Sequence, residues 1–223
     1  MQHDDPFDHN QFARLALSVA SEADRTPLAE DSAPRAPGAY LLFLAAPLPV
    51  YGDFATGRWP VYAGSTTDLA ARRRRHILNL RGVTGLRTEH FQASWLPQPT
   101  FGAALHVEDV LIAELQPPWC RPPLRGWGSK SQGRTRVAGQ RPSAWDGLHP
   151  GRLWSQQPTD LLRALAHVAL LEVVANPWRP PVTWSPLQDW REVADASGPV
   201  RHCHAVTRDD RSRPFTSLAG GLS

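Results

Sequence analysis

Residues 38–76 read GAYLLFLAAPLPVYGDFATGRWPVYAGSTTDLAARRRRH. Gly38 to Leu44 is an unbroken apolar run of the length and composition of a buried strand. Pro47, Pro49, Gly52 and Gly57 then punctuate a long hairpin loop. Residues 59–64, WPVYAG, form the returning strand, which brings Tyr40 and Tyr62 onto neighbouring strands. Ser65 to Asp68 can cap a helix that starts near Leu69 and ends before Gly82 or Gly85. That helix carries Arg72-Arg73-Arg74-Arg75-His76. Arg72 and His76, spaced i, i+4, share one of its sides.

Working outward, Phe12, Leu15, Val19 and Ala23 predict a helix within 7–25, and residues 26–37 read as a linker. Residues 90–96, HFQASWL, alternate with Phe91, Ala93 and Trp95 on one side and predict a third strand. Val107 to Leu115 reads as a helix that Pro117 and Pro118 stop. The segment 121–155 is rich in Gly, Pro and Arg, and Trp127, Trp145 and Trp154 favour an ordered loop with its own core. Residues 159–175 form the clearest helix, with Thr159 as N-cap and Asp160 in its first turn. After Pro177 periodicity is lost. The expected divisions are 1–35 (helix and linker), 36–155 (a central domain) and 156–223 (a helix and tail).

Composition bounds the function. The chain has 223 residues, 41% of them apolar, enough for one core with appendages. No run approaches ~18 apolar residues, so no membrane-spanning helix is expected. The acidic, polar start does not resemble a secretory leader, and two distant cysteines do not make a disulfide scaffold; a reducing cytoplasm is the expected setting. Net charge is only +3. It is distributed unevenly. Residues 1–35 carry an excess of four acidic groups, residues 36–155 an excess of seven basic groups, and the remainder balances. Arg supplies all but one of the 24 basic residues, the exception being Lys130. Codon bias in GC-rich DNA accounts for most of that ratio, so the location of the charge carries more information than its type. His202-Cys203-His204 lacks a second ligand pair at usable spacing and does not read as a zinc site.

The residues able to carry chemistry fall in the order Gly38-Ala39-Tyr40, Tyr62-Ala63-Gly64, Arg72, His76 and Glu108, followed by Pro117 and Trp119. Each has an ordinary alternative. A strand Tyr is usually packing, a Glu near a helix start usually complements the dipole, and an Arg run is usually a solvated face.

The ordered series resembles the GIY-YIG nucleases, named for two tripeptides matched here by Gly38-Ala39-Tyr40 and Tyr62-Ala63-Gly64. The segment YAGSTTDLAARRRRH is similar to the family's second strand and first helix, and VEDVLIAELQPPW to its Glu helix. The register of Leu111, Ile112, Pro117 and Trp119 selects Glu108 over Glu114. His76 at four residues past Arg72, GWGSKSQGRTR at 126–136, WDGLHPGRLW at 145–154 and FDHNQFARLALSV near the N-terminus resemble a type II restriction endonuclease branch that cuts G/C-rich palindromes such as CCGCGG. The resemblance covers roughly residues 6–155. Two departures stand out. Cys120 occupies the position where the family has Asn, and the link from Tyr62 to Arg72 is short where the branch often carries an insertion.

The resemblance implies an α+β fold: a small three-stranded antiparallel sheet flanked by helices, with added N- and C-terminal helices. It implies metal-dependent hydrolysis of double-stranded DNA by Tyr40, Tyr62, Arg72, His76 and Glu108. Glu108 would hold Mg²⁺ or another divalent cation, and Arg72 would bind the scissile phosphate. Tyr62 would position the phosphate or water, and either Tyr40 or His76 would be the general base. Arg73, Arg75, Arg125, Lys130, Arg134, Arg136 and Arg141 are candidate DNA contacts. A palindromic site implies a homodimer on DNA, and a restriction enzyme implies a cognate DNA methyltransferase. The competing readings are a DNA-binding protein of the same fold that lost catalysis through Cys120, and a repair or homing nuclease of the same superfamily.

Overall fold

The computed structural model describes residues 9–127, 142–153 and 155–175. Its centre is an antiparallel sheet with strand order β1-β4-β2-β3. These strands are β1 (Arg25–Pro27), β2 (Gly38–Ala45), β3 (Thr56–Thr66) and β4 (Phe91–Pro97). Among the described residues, five α-helices accompany it: α1 (His9–Glu22), α2 (Leu69–Leu80), α3 (Phe101–Leu115), α4 (Ala144–Leu148) and α5 (Asp160–Ala175). The α+β class and its antiparallel core match the expectation.

The sheet has four strands, not three. The fourth lies in the stretch read as a linker: Arg25, Thr26 and Pro27 pair with Ser94, Ala93 and Gln92. Three residues are too few to show alternation, so β1 had no periodic signature. It forms because β4 would otherwise expose an unpaired edge. Leu28, fully buried, extends the pairing through its N–H to the Phe91 carbonyl at 2.9 Å.

β2 is sandwiched between β4 and β3, and seven of its eight residues are buried. That explains its continuous apolar run. Tyr40, Leu42 and Leu44 lie opposite Trp95, Ala93 and Phe91 of β4. Ala39 lies opposite Ser65 of β3, whose hydroxyl meets Glu108 of α3. The pleat therefore assigns the tyrosine side of the sheet to the aromatic packing and the alanine side to α3.

Two other elements differ from expectation. The hairpin loop is occupied by a 3₁₀ turn, Pro49–Ala55, that buries Tyr51 and Phe54. α3 starts at Phe101 rather than Val107, because the Thr100 hydroxyl accepts from the Ala103 N–H at 3.1 Å and caps it there. Glu108 is thus in mid-helix and does not complement a dipole.

The Trp-bearing segment is ordered by its tryptophans. Trp119, Trp127 and Trp145 are all buried, and their ring centroids lie 4.8–5.6 Å apart. Trp154 lies outside the described residues. Asp146 and Arg152 form a buried ion pair at 2.6 Å. Arg152 also donates to the carbonyls of Gly126 (2.9 Å) and Trp127 (3.4 Å), and Asp146 accepts from the Ser143 N–H and hydroxyl. The pair thereby ties residues 126–127 to residues 143–146. Burial pushes the Asp146 carboxyl up, but Arg152 and Ser143 outweigh it and hold the group below its ordinary value. Removing one partner strands the other charge in the core, so Asp146→Ala is expected to cost about 3–5 kcal/mol. Chemical denaturation of the two proteins checks this.

A candidate nuclease active site

The glycines of the two tripeptides are required by close approach. A Cβ on Gly64 would lie 2.5 Å from the Tyr40 hydroxyl. A Cβ on Gly38 would lie 2.6 Å from both the Leu69 side chain and the Leu96 carbonyl. Gly64 thus clears the space for Tyr40, and Gly38 lets α2 seat against the end of β2.

α2 is set by its own cap, the Asp68 carboxylate accepting from the Ala71 N–H at 2.9 Å. From there Arg72 and His76 reach different depths. Arg72 is half-buried, and its Nη2 donates to the Ser65 carbonyl at 3.4 Å. His76 is buried on the same side, its Nε2 lying 2.8 Å from the Tyr40 hydroxyl and its ring stacked on Trp127. The Tyr62 ring lies beside Tyr40, with centroids 6.0 Å apart. The three side chains form an aromatic chain, Tyr62–Tyr40–His76, that runs inward from the surface.

A pocket of about 250 Å³ opens at the outer end of that chain, lined by Tyr62, Ser65, Thr66, Thr67, Arg72, Phe101 and Glu108. Glu108 is 4% exposed, and its Oε2 accepts a short hydrogen bond from the Ser65 hydroxyl. The pocket therefore collects Tyr62, Arg72 and Glu108 from β3, α2 and α3. Tyr40 and His76 do not line it; they lie behind Tyr62. Ser65, Thr66, Thr67 and Phe101 were not picked out as site residues. The first three read as capping residues, and nothing in the spacing of Phe101 marks it.

Burial decides the protonation of the inner groups. It raises the Tyr40 phenol well above its ordinary value, although Arg72 and the Tyr62 hydrogen bond oppose this. It also raises Tyr62, helped by Tyr40. Burial, reinforced by Arg72, holds His76 well below 6.5. All three are neutral at neutral pH. His76 Nε2 and the Tyr40 hydroxyl share one hydrogen bond, whose direction follows the imidazole tautomer. His76 Nδ1 has no hydrogen-bond partner among the described residues.

Buried neutral histidines make stability pH-dependent. His149 is lowered by burial to about 3, and its Nε2 lies 2.5 Å from the Tyr51 hydroxyl. His76 and His149 both have folded values below the unfolded ~6.5. The unfolded chain therefore binds more protons below pH ~6.5, and their stabilising contribution is full above that pH and lost on acidification. For His149 this is about 1.4 kcal/mol per pH unit between pH 6 and pH 4, and His76 adds to the slope in the same direction. Denaturation midpoints across that range check the slope, and a His149→Gln variant should show a shallower one.

Cys120 occupies a defined place. Its Sγ accepts from the Ala63 N–H and donates to the Ala63 carbonyl, both at 3.3 Å. β3 is the edge of the sheet, so Ala63 has no strand on that side. The thiol satisfies this edge peptide next to Tyr62. An Asn amide could make the same donor and acceptor pair. Burial raises the Cys120 thiol to about 12, with the Ala63 hydrogen bond acting against it. Iodoacetamide at pH 8 is expected to leave Cys120 unmodified in the native protein and to label it after unfolding, as read by peptide mapping.

The candidate DNA contacts separate. Arg75 is exposed on α2. Arg125 is exposed, with its Nε on the Cys120 carbonyl at 2.8 Å. Arg73 points the other way. It is buried and donates to the carbonyls of Leu28 (3.0 Å) and Ala29 (2.5 Å), besides pairing with Asp31. These contacts tie α2 to the segment after β1. Lys130, Arg134, Arg136 and Arg141 lie outside the described residues, as do His202, Cys203 and His204.

A family model described as the Eco29kI GIY-YIG domain matches residues 34–175. The chain belongs to that family. It is a GIY-YIG nuclease domain of a type II restriction endonuclease family. The match begins just before the Gly38 strand and ends with α5. A search of curated proteins finds no match. No helix among the described residues is long and apolar enough to cross a membrane.

Could the pocket hold a divalent cation? Among the described residues no group of three His, Cys, Asp or Glu side chains could ligate one. The pocket offers one buried carboxylate, Glu108, amid the hydroxyls of Ser65, Thr66 and Thr67. An all-oxygen set with a single protein carboxylate fits Mg²⁺, which retains several waters and shares itself with substrate phosphates. It does not fit zinc.

Proposed function

We propose that this protein is a type II restriction endonuclease that hydrolyses phosphodiester bonds of double-stranded DNA at a short, G/C-rich palindrome, dependent on a divalent cation. The observation that carries this reading is the convergence of Arg72, Glu108 and Tyr62 on one pocket. A cation, a phosphate-binding guanidinium and a hydroxyl are the parts that in-line attack on a phosphodiester needs.

Glu108 would hold the cation, which supplies charge neutralisation at the phosphate and a more acidic water. Arg72 binds the scissile phosphate and offsets the negative charge that grows in the transition state. Tyr62 is the hydroxyl within reach of the attacking water. Tyr40 and His76, hydrogen-bonded to each other behind it, are the candidates to receive the water's proton. Burial disfavours the charged form of both Tyr40 and His76, so the final acceptor is whichever of the two the bound substrate and cation activate, and comparing Tyr40→Phe with His76→Ala in single turnover separates them. Arg75 and Arg125, with Lys130, Arg134, Arg136 and Arg141, contact phosphates or base edges. Two copies on a palindrome would cut both strands, and a cognate methyltransferase would protect the host DNA.

The alternative of a binder without catalysis rested on Cys120. The pair of contacts that the thiol makes with Ala63 supports the nuclease instead, since the edge peptide beside Tyr62 is satisfied. Digestion of phage DNA by the purified protein with Mg²⁺ tests the reading. Discrete fragments are expected. Retarded but intact DNA would favour the binder, and DNA neither cut nor retarded would sink both.

A further inference from the structure

We infer that Ser65 is a positioning residue that sets the metal-binding geometry of Glu108 and its separation from Arg72; this rests on the proposed nuclease function. Three observations meet at this residue. Its hydroxyl donates to Glu108 Oε2, its backbone carbonyl accepts from Arg72 Nη2, and it lines the same pocket as both. Ser65 is buried near the end of β3, in register with Ala39 of the central strand. Its backbone therefore cannot drift without disturbing the sheet.

The consequences follow from the chemistry of a carboxylate. On a mid-helix Glu, three side-chain torsions are available, and a group aimed at a cation must be held in one rotamer before the cation arrives. A hydroxyl donor on one oxygen turns the carboxylate to a fixed angle and lowers its freedom. A single protein carboxylate holding Mg²⁺ through one oxygen leaves the remaining positions for water and phosphate. Through its carbonyl, the same serine places the Arg72 fork. The two charged groups that must act on one phosphate are thus indexed to one residue. Outer partners of a metal ligand commonly tune affinity by about 10–100-fold.

The test uses the full chain and Mn²⁺ as the probe, with binding read from loss of the free Mn²⁺ electron paramagnetic resonance signal. Wild type, Ser65→Ala, Ser65→Thr and Glu108→Gln are compared, with thermal unfolding of each in the absence of metal. Ser65→Ala is expected to weaken Mn²⁺ binding about tenfold and to raise the metal concentration needed for half-maximal DNA cleavage by a similar factor. Its unfolding midpoint should remain close to wild type. Ser65→Thr, which keeps the hydroxyl, should restore both. The inference falls if Ser65→Ala binds Mn²⁺ within twofold of wild type, or if its loss tracks a fall in stability that Ser65→Thr shares. If wild type binds no more Mn²⁺ than Glu108→Gln yet cuts DNA, Ser65 does not act through a cation and the inference is overturned alone. If wild type neither binds nor cuts, the nuclease reading falls with it.

Discussion

Glu108→Gln is expected to lower the single-turnover rate of DNA cleavage by on the order of 10³-fold or more, with DNA affinity nearly unchanged. The substitution preserves size and can still accept from Ser65. It removes the only carboxylate that lines the pocket among the described residues. Because Glu108 is 4% exposed, the isosteric change keeps the packing around it. Gel-shift and rapid-quench measurements on the same preparation separate the two effects. A variant that binds DNA and cuts at near wild-type rate would mean that the cation, if any, is held elsewhere.

The second large effect distinguishes two adjacent arginines. Arg72→Ala is expected to reduce cleavage by on the order of 10³-fold, since a guanidinium on a transferring or cleaved phosphate is worth that much. Its unfolding midpoint should move little, because the side chain is half-buried and makes one long hydrogen bond to the Ser65 carbonyl. Arg73→Ala should do the reverse. It leaves the buried Leu28 carbonyl without its donor and hands the exposed Ala29 carbonyl to water, at a cost of about 1–3 kcal/mol. The Asp31 pair adds little, since that carboxylate is 80% exposed. At temperatures where the Arg73 variant is folded, its cleavage rate should be near wild type. Rates and denaturation curves for both variants check the crossover. Equal catalytic loss in the two would show that the Arg run acts as a diffuse basic face.

This pair also shows where sequence reasoning stops. The run Arg72-Arg73-Arg74-Arg75 is legible as a helix because Asp68 caps it and Leu69, Ala70 and Leu80 face inward. Spacing alone could not tell which of four successive arginines turns towards the core, because that depends on β1 bringing the Leu28 and Ala29 carbonyls alongside. β1 itself, three residues long, has too little pattern to read. The central hairpin is legible for the opposite reason: a short apolar run of seven residues, bounded by Pro37-Gly38 and by Pro47, reads as a strand covered on both faces. Tyr62, Arg72 and Glu108 meet because β3, α2 and α3 converge at the open edge of the sheet, and their order along the chain foreshadowed this. Depth was not legible. Nothing in the sequence says that Tyr40 and His76 lie behind Tyr62, since both tyrosines sit on strands of the same hairpin. Ser65 read only as a cap, although its hydroxyl faces Glu108, because a serine before a helix has that ordinary role first.

The most direct measurement is the sequencing of fragment ends after limited digestion of phage DNA with Mg²⁺, wild type beside Glu108→Gln. Every cut by the wild type is expected to fall at one short G/C-rich palindrome, on both strands at symmetric positions, with no cuts by the variant. Cuts scattered without a common sequence, or equal cutting by the variant, would contradict the assignment of a site-specific nuclease to the Arg72, Glu108 and Tyr62 pocket.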